Sequence, residues 1–474
     1  MTKTVFNISP KIFFTSLSLA LLALIILPYL WETFIVIALI LFLLGFGKDY
    51  LVPIIIFLFL TLSGDINESL RNIINALNVF LLFYLFLKEY GFNFPKYPKI
   101  PNTILLLISF VVFSLLISAL LSTKLYISLN EIGRQIIFFI IVFFLYSFIK
   151  DKKEIHLYLS AMLLSSFIIV ASILIEFFKT NTMLYALETT GYVTLGGFFN
   201  NNASVAGLFV ATIPITLMFY FYPELNKRKF KFWILTFLIF QIVGLLLTNS
   251  RAAIAGTFIA VLFCLFYLKR STFNKILLTI LIIIPFLFLL PGFELALEHY
   301  FRVNRIFENT RYILWDMSFK MFKDNPIWGV GPGMFKYYMY PYLNVPLGSW
   351  SEGQIYYLYT HAPLGTVHSF LLMKLSELGI IGFTSGIFLI FLYLRIGFRN
   401  IKNAKIYDKE FYIFSIAAVG IGLGLFYRSL FESTGILTNG WITRDLPFWL
   451  IFSIMIFIYL KTPDGVKKLN ENKY

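Results

Sequence analysis

The chain has 474 residues, of which 59% are hydrophobic and only 13% are charged. Soluble domains are typically about half apolar and about a quarter charged, so these values exclude a soluble protein and predict a membrane protein with many spanning helices. The net charge of +15 would favour a nucleic-acid partner in a soluble chain. Here the lysines and arginines gather in short loops between apolar segments, where they set orientation, and we expect no nucleic-acid partner. The single cysteine, Cys264, excludes an internal disulfide and a cysteine-based metal site.

Apolar segments of roughly 15 to 25 residues recur along the chain and predict an all-α polytopic membrane protein. The fourteen candidates lie near 11–30, 33–47, 50–63, 72–90, 103–121, 131–149, 155–178, 203–222, 232–248, 252–268, 275–290, 370–394, 411–431 and 447–460. The second and third are short, so one of them can be re-entrant, and the expected number of spans is twelve to fourteen. No small-residue cleavage signal follows the first segment, which therefore predicts an anchor and not a cleaved signal peptide.

The arrangement of basic residues predicts the orientation of the chain. With the N-terminus inside, one set of loops, span ends and both termini holds 25 lysines and arginines, whereas the short loops and span ends of the other side hold seven. Because positive charge accumulates on the cytoplasmic side, we expect both termini in the cytoplasm. The expected organisation is a transmembrane bundle at 1–290, a periplasmic catalytic loop with short helices at 291–369, and further transmembrane helices with a cytoplasmic tail at 370–474. In a bacterium this predicts a multi-pass protein of the inner membrane.

The long polar loop contains the candidate chemistry. At 311–322 the spacing of Trp315, Phe319 and Phe322 predicts an amphipathic helix that begins near residues 309–310. Thr366 is the predicted N-cap of the helix that returns to the membrane, which places His368 in its first turn. There the helix dipole would disfavour imidazolium and keep a neutral ring available as a general base. The ordinary alternative is an interfacial histidine bonded to a neighbouring loop.

A second candidate is Arg251, which lies in the short polar hairpin between two apolar runs at 245–256. The topology places this hairpin at the outer face, where an arginine can present a fixed fork of donors to a phosphate or pyrophosphate. The alternative is an arginine that snorkels at a helix end. Arg428 could also approach a donor headgroup, although an ion pair with Glu432, four residues along, is the more economical interpretation.

Two further patterns in the loop predict no catalytic or metal chemistry. GVGPG at 329–333 lacks the Lys-Ser or Lys-Thr and the preceding strand of a phosphate-binding loop, so it predicts a turn. His361 lies seven residues before His368, without nearby cysteines or paired carboxylates, and predicts no metal site. We therefore expect neither a metal nor another cofactor.

Three stretches of the chain together resemble the O-antigen ligase and polymerase superfamily of bacterial envelope glycosyltransferases. They are TNSRAA at 248–253, the pattern R-x-x-x-W-D at 311–316 followed by DNPIWGVGPGMF at 324–335, and HSFLLMKLSELGIIGF at 368–383. The resemblance covers roughly residues 196–391, and the last motif is its most specific part. The family histidine is usually followed by asparagine, whereas this chain has Ser369.

The resemblance implies a transferase that moves a glycan from undecaprenyl pyrophosphate to a sugar hydroxyl at the outer face of the inner membrane. O-antigen ligases of the family use the lipid A core as acceptor. Arg251 and Arg311 match arginines that would hold the donor pyrophosphate, with Arg428 as a further candidate, and His368 matches the histidine that activates the acceptor. The arginines would replace a divalent metal, and direct attack by the acceptor would invert the anomeric carbon.

Three other functions remain open at this point. A polymerase would extend the glycan on its lipid carrier, and a protein O-oligosaccharyltransferase would move it to a side-chain hydroxyl. The single large outer loop favours the ligase over the polymerase. A lipid or glycan transporter would require paired broken helices near the middle of the membrane and carboxylates within it. The sequence offers few such carboxylates, since Glu176 and Glu432 fall near span ends.

Overall fold

The computed structural model describes residues 47–61, 68–179, 195–197, 202–222, 228–290, 310–344, 348, 352–353, 356–357, 360 and 366–462. Within these residues the secondary structure is helical, without a strand. The helices, numbered α1 to α14 in chain order, are Lys48–Thr61, Glu68–Tyr90, Asn102–Leu120, Leu125–Ser147, Lys152–Lys179, Asn202–Tyr220, Arg228–Leu247, Arg251–Leu268, Arg270–Phe288, Thr310–Asp324, Phe335–Tyr338, Phe370–Tyr407, Lys409–Ser429 and Ile442–Lys461.

The predicted all-α, polytopic membrane fold is confirmed. In the described part of the chain eleven helices are long and apolar enough to cross a membrane, namely α2 to α9 and α12 to α14. They coincide with the predicted segments from 72–90 onward. The third predicted segment corresponds to α1, whose 14 residues are fewer than the roughly 20 that a span needs. The first two predicted segments lie outside the described residues.

Helices α8 and α13 form the closest helix pair of the bundle. A Cβ atom at Gly256 of α8 would lie 2.5 Å from the carbonyl oxygen of Gly424 in α13, so the two backbones touch. Small residues permit this approach, which is a common way to pack helices in membranes. Further along, Gly420 faces Ala260, so the helices are antiparallel. The start of α8 and the end of α13 therefore lie at the same end of the bundle, which we call the site end.

Helix α12 is broken at Gly379, where φ is +63° and ψ is −158°. The loop before α11 fills this break, because Val330 and Gly331 donate backbone hydrogen bonds of 3.0 and 2.9 Å to the carbonyls of Ser376 and Glu377. Backbone groups in a membrane must find partners within the protein, and this docked loop supplies them. Residues 370–378 thus form a short helix under the loop, and residues 380–407 form the span itself. The predicted span at 370–394 is confirmed, with a break near its start that the apolar pattern did not predict.

The docked loop and α10 enclose a second hydrophobic core that is separate from the bundle. Five of its nine buried residues are methionines, which is half of the ten in the chain. Methionine fills irregular space with little penalty, which suits a small core between a loop and a broken helix. The buried residues are Leu314, Met317, Met321, Val330, Met334, Phe335, Met339, Val367 and Met373.

Helix α10 is confirmed as an amphipathic helix, but its buried face differs from the predicted one. Leu314, Met317 and Met321 are buried, whereas Phe319 is 47% exposed. The small side chain of Ser318 lies at the closest approach to α12 and donates a 2.8 Å hydrogen bond to the carbonyl of Leu372. Slim side chains allow this approach, and bulky rings do not. The aromatic residues therefore lie along the margins of the contact.

The break at Gly379 predicts that Gly379→Ala undocks the loop. A Cβ atom there would lie 2.3 Å from the carbonyl oxygen of Ile327, and the positive φ alone costs a non-glycine residue about 1–3 kcal/mol. We expect a lower unfolding temperature in detergent and faster proteolysis between α10 and α12. Gly133→Ala in α4 is the matched control, because a Cβ atom there meets nothing within 4 Å. Equal unfolding temperatures for the two variants would contradict the docking role of Gly379.

Candidate active site

His368 lies before α12 and not in its first turn. The helix begins at Phe370, its N-cap residue is Ser369, and the backbone φ of His368 is +53°. The predicted N-cap, Thr366, is four residues before the helix, so the prediction that the helix dipole acts on a first-turn histidine is wrong. The backbone N–H of Ser369 instead donates a 3.2 Å hydrogen bond to the hydroxyl of Ser433. This bond ties the histidine segment to the loop that follows α13.

The carboxylate of Glu432 joins His368 to Arg311. One carboxylate oxygen, Oε1, lies 2.8 Å from Nη2 of Arg311 in the first turn of α10. The other, Oε2, lies 3.4 Å from Nδ1 of His368. A carboxylate only accepts hydrogen bonds, so Nδ1 is the protonated nitrogen in the neutral ring and Nε2 carries the lone pair. The geometry therefore provides an oriented base beside a fixed cation.

Glu432 is ionised in this arrangement. Burial by itself would raise the pKa of its carboxyl, but the hydrogen bond and charge of His368 and the charges of Arg428 and Arg311 outweigh that effect and hold the pKa at about 2. Its side chain is 9% exposed, whereas those of Arg311 and His368 are 29% and 32% exposed. The carboxylate thus lies at the back of the cluster, and the base and the cation face outward.

The loop that carries Glu432 is buried and is held by polar contacts with α14. Asp445, in the first turn of α14, accepts hydrogen bonds from the backbone N–H of Gly435 at 3.1 Å and from the hydroxyl of Thr438 at 2.7 Å. The indole of Trp449 donates a 2.7 Å hydrogen bond to the carbonyl of Ile436. A rigid, buried loop fixes the carboxylate before any substrate binds, as a preorganised site requires.

Arg428 occupies the base of the same loop and is only 1% exposed. Its guanidinium donates hydrogen bonds of 2.5 Å to the carbonyl of Thr434 and 2.7 Å to that of Ala203 at the start of α6. The predicted alternative of a direct ion pair with Glu432 is therefore replaced by contacts with backbone carbonyls, while Glu432 pairs with Arg311 and His368. Arg428 connects α6, α13 and the Glu432 loop, and adds positive charge behind the cluster.

Arg251 is the first residue of α8 and is half-buried at the site end. The preceding turn is tight, with Asn249 at φ +50°, and the N-cap residue Ser250 makes no side-chain capping bond. An arginine at a helix N-terminus is electrostatically unfavourable for the helix but adds to the positive potential of its first turn. The combination of a guanidinium and a helix N-terminus is suited to binding an anion. His361 lies outside the described residues.

A second buried polar cluster supports the broken helix, and sequence reasoning did not find it. The carboxylate of Glu377 accepts a 3.2 Å hydrogen bond from the backbone N–H of Phe335, and Lys374 donates a 3.1 Å hydrogen bond to the side chain of Asn439. Lys374 and Glu377 lie in the short helix before the break, and two further buried carboxylates, Glu131 and Asp445, lie near the starts of α4 and α14, where the sequence was expected to offer few. In the contacts above, Glu377 and Asp445 bind backbone groups of loops at the site end, which is a structural use.

Glu432 is the site residue that sequence reasoning missed. It is separated from His368 by 64 residues and from Arg311 by 121, so no local spacing links them. The available signal was a carboxylate near a span end, one helical turn after an arginine, on the same predicted side as the histidine. Among the described residues no group of three or more His, Cys, Asp or Glu side chains is arranged to hold a metal.

A comparison with known families matches residues 236–387 to the family model described as O-antigen ligase. No curated protein matches the chain. The matched segment contains Arg251, Arg311 and His368, whereas Arg428 and Glu432 lie beyond it. The family supports glycosyltransferase activity of the O-antigen ligase or polymerase type in general and implies lipid-linked glycan substrates in a membrane. The resemblance to the O-antigen ligase and polymerase superfamily is therefore confirmed for residues 236–387.

Proposed function

We propose that this protein is an O-antigen ligase that moves a glycan from undecaprenyl pyrophosphate to a sugar hydroxyl of the lipid A core. Residues 291–369 form its outer catalytic loop, at the periplasmic face of the inner membrane. The observation that carries the proposal is the cluster in which one buried carboxylate, Glu432, holds both a histidine base and an arginine. Glycosyl transfer from an activated donor needs a base for the acceptor hydroxyl and positive charge for the leaving group, and this cluster places the two side by side.

In the proposed reaction the acceptor hydroxyl attacks the anomeric carbon of the donor glycan. Nε2 of His368 takes the hydroxyl proton as the new glycosidic bond forms, and Glu432 stabilises the resulting imidazolium through Nδ1. The bond between the anomeric carbon and the pyrophosphate oxygen breaks at the same time. Attack from the face opposite the leaving group inverts the anomeric centre.

The leaving pyrophosphate gains negative charge as its bond breaks, and the arginines offset that charge. We place it against Arg251 and Arg311, because a guanidinium fork matches phosphate oxygens and remains charged when partly desolvated. Arg428 acts from behind, through its charge and through its hold on the Glu432 loop. The first turn of α8 contributes the positive end of its dipole. In this proposal the transfer needs no metal ion.

A transporter is the candidate from a different class, and the position of the break in α12 argues against it. The helix that follows Gly379 has 28 residues, 380–407, which at 1.5 Å per residue extend about 42 Å. That length crosses a membrane by itself, so the break lies at the site end and not near the middle, where transporters place their broken helices. A polymerase or a protein O-oligosaccharyltransferase would use the same cluster, and the choice of acceptor distinguishes them.

The proposed orientation predicts which positions are accessible from outside an intact cell. Lys323 is exposed on α10 and Lys405 is exposed near the end of α12, at opposite ends of the bundle. In a Cys264→Ala background, Lys323→Cys should react with an impermeant maleimide in intact cells. Lys405→Cys should react only after permeabilisation. The reverse pattern would place the active site in the cytoplasm and exclude the proposed reaction.

The proposed base predicts a large loss of transfer in His368→Ala. A general base contributes about 10²–10⁴-fold to rate, so transfer in a single turnover should fall by about that factor while donor binding is kept. The measurement uses purified protein, a glycan on undecaprenyl pyrophosphate and lipid A core, with and without a chelator. Polyprenyl-linked glycan and a hydroxyl peptide as alternative acceptors test the polymerase and the protein glycosyltransferase.

His156→Ala is the matched control for this experiment. His156 lies at the opposite end of the bundle, 3.3 Å from the hydroxyl of Tyr222 and 3.9 Å from Glu410, so its loss should leave transfer unchanged. Normal transfer by His368→Ala would refute the assigned base. Loss of transfer on adding the chelator would refute the metal-free mechanism.

The role of Glu432 predicts that Glu432→Gln retains the fold but loses orientation of the base and the arginine. Removal of a group that orients a catalytic ligand commonly costs about 10–100-fold, and we expect a loss of that size in the transfer rate.

The folded-state pKa of Glu432, about 2, lies below the usual 4.5, so the ionised carboxylate stabilises the protein above about pH 4.5. This stabilisation is lost as the pH falls towards 2. The difference in unfolding temperature between the wild type and Glu432→Gln should therefore narrow between pH 6 and pH 3.5.

Glu89→Gln provides the control for a carboxylate in an ion pair far from the site. Glu89 pairs with Lys150 at the opposite end of the bundle. It should retain full transfer. If both variants transfer equally well, Glu432 has no part in the reaction.

A further inference from the structure

A polar cavity lies at the end of the bundle opposite the proposed active site. Its volume is about 410 Å³, and it lies between the start of α3, the last part of α12 and the end of α14. Of its six lining residues two are arginines and two carry hydroxyl groups, and none is a carboxylate. These residues are Thr103, Leu392, Arg395, Ile396, Arg399 and Tyr459.

The cavity is far from the proposed chemistry. Arg395 and Arg399 follow Gly379 by 16 and 20 residues of helix, which places them about 24–30 Å from the break. Helix α3 agrees, because Thr103 lies in its first turn, whereas Ser118 in its last turn donates a hydrogen bond to the carbonyl of Glu377, beside the break. A ligand in this cavity is therefore separate from the donor and acceptor of the transfer reaction.

The lining groups fit a phosphate. Arg395 and Arg399 are one helical turn apart on the same face of α12, and the guanidinium of Arg399 stacks 3.9 Å from the ring centre of Tyr459. Stacking fixes the plane of the guanidinium while its N–H groups at the edge can donate to oxygen atoms. Pro101 precedes α3 without a side-chain cap, so the positive end of that helix dipole reaches the cavity through Thr103.

We propose that this cavity binds the phosphate headgroup of an anionic phospholipid. The surface around it is apolar, because Phe391 and Phe398, four residues before and three after Arg395, are 55% and 44% exposed. Leu460, next to Tyr459, is 45% exposed. Acyl chains can lie along this surface while the headgroup enters the cavity, an arrangement known for basic pockets between transmembrane helices. A free phosphate ion would use the arginines but not the aromatic surface.

The test is lipid binding by the full-length protein in detergent, measured by native mass spectrometry. Phosphatidylglycerol should bind, zwitterionic phosphatidylcholine should bind much more weakly, and sodium phosphate at equal concentration should not displace the lipid. Arg395→Gln with Arg399→Gln should weaken phosphatidylglycerol binding at this site about tenfold, the loss expected from charge-assisted hydrogen bonds. Arg395→Gln alone, at an exposed position, should give part of that loss.

Arg270→Gln is the matched control. Arg270 is also at the opposite end of the bundle, is exposed, and stacks 3.9 Å from the ring centre of Phe266, but it does not line the cavity. It should retain wild-type affinity. Equal binding of the two phospholipids, or unchanged binding by the double variant, would overturn the proposal. Displacement of the lipid by sodium phosphate would assign the cavity to the free ion and overturn the lipid assignment.

Discussion

The arrangement of the candidate active site depends on one interaction, the buried carboxylate of Glu432 between Arg311 and His368. It connects three parts of the chain that are far apart in sequence, namely α10, the segment before α12 and the loop after α13. A single buried charge in this position would be costly, and the charges of Arg311 and Arg428 together with the hydrogen bond from His368 offset that cost. The carboxylate in turn fixes the positions of Arg311 and His368. The charge balance and the geometry of the site therefore depend on each other.

The break in α12 positions the cluster of Arg311, His368 and Glu432. An unbroken α12 would leave no carbonyls for the loop at 326–331, and α10 would lose the surface on which it packs. Gly379 accepts the positive φ, and the docked loop satisfies the backbone groups that the break exposes. The methionine-rich core then holds α10, and with it Arg311, above the first part of α12. The motif at 368–383, which resembles a family signature, therefore has a structural role that does not depend on any role in catalysis.

Sequence reasoning predicted the parts of this structure that local patterns determine. The span pattern from 72–90 onward, the helix at 310–324 and the glycine-rich turn at 329–333 follow from hydropathy and turn residues. It could not predict the position of His368, because the bonds of His368 to Glu432 and of Ser369 to Ser433 are contacts between distant parts of the chain. The buried face of α10 was missed for a related reason. Its aromatic residues dominate the pattern, but the close approach at Ser318 decides which face is buried.

The boundary of the family match shows how the site is divided along the chain. Residues 236–387 contain Arg251, α10 and His368, yet the carboxylate that holds Arg311 and His368 follows α13. The close packing of α8 on α13, with Gly256 against Gly424, carries the end of α13 to the start of α8. Arg428, near that end, then fixes the loop through Thr434 and Ala203. The packing of α13, which lies outside the matched segment, on α8, which lies within it, therefore completes the candidate site.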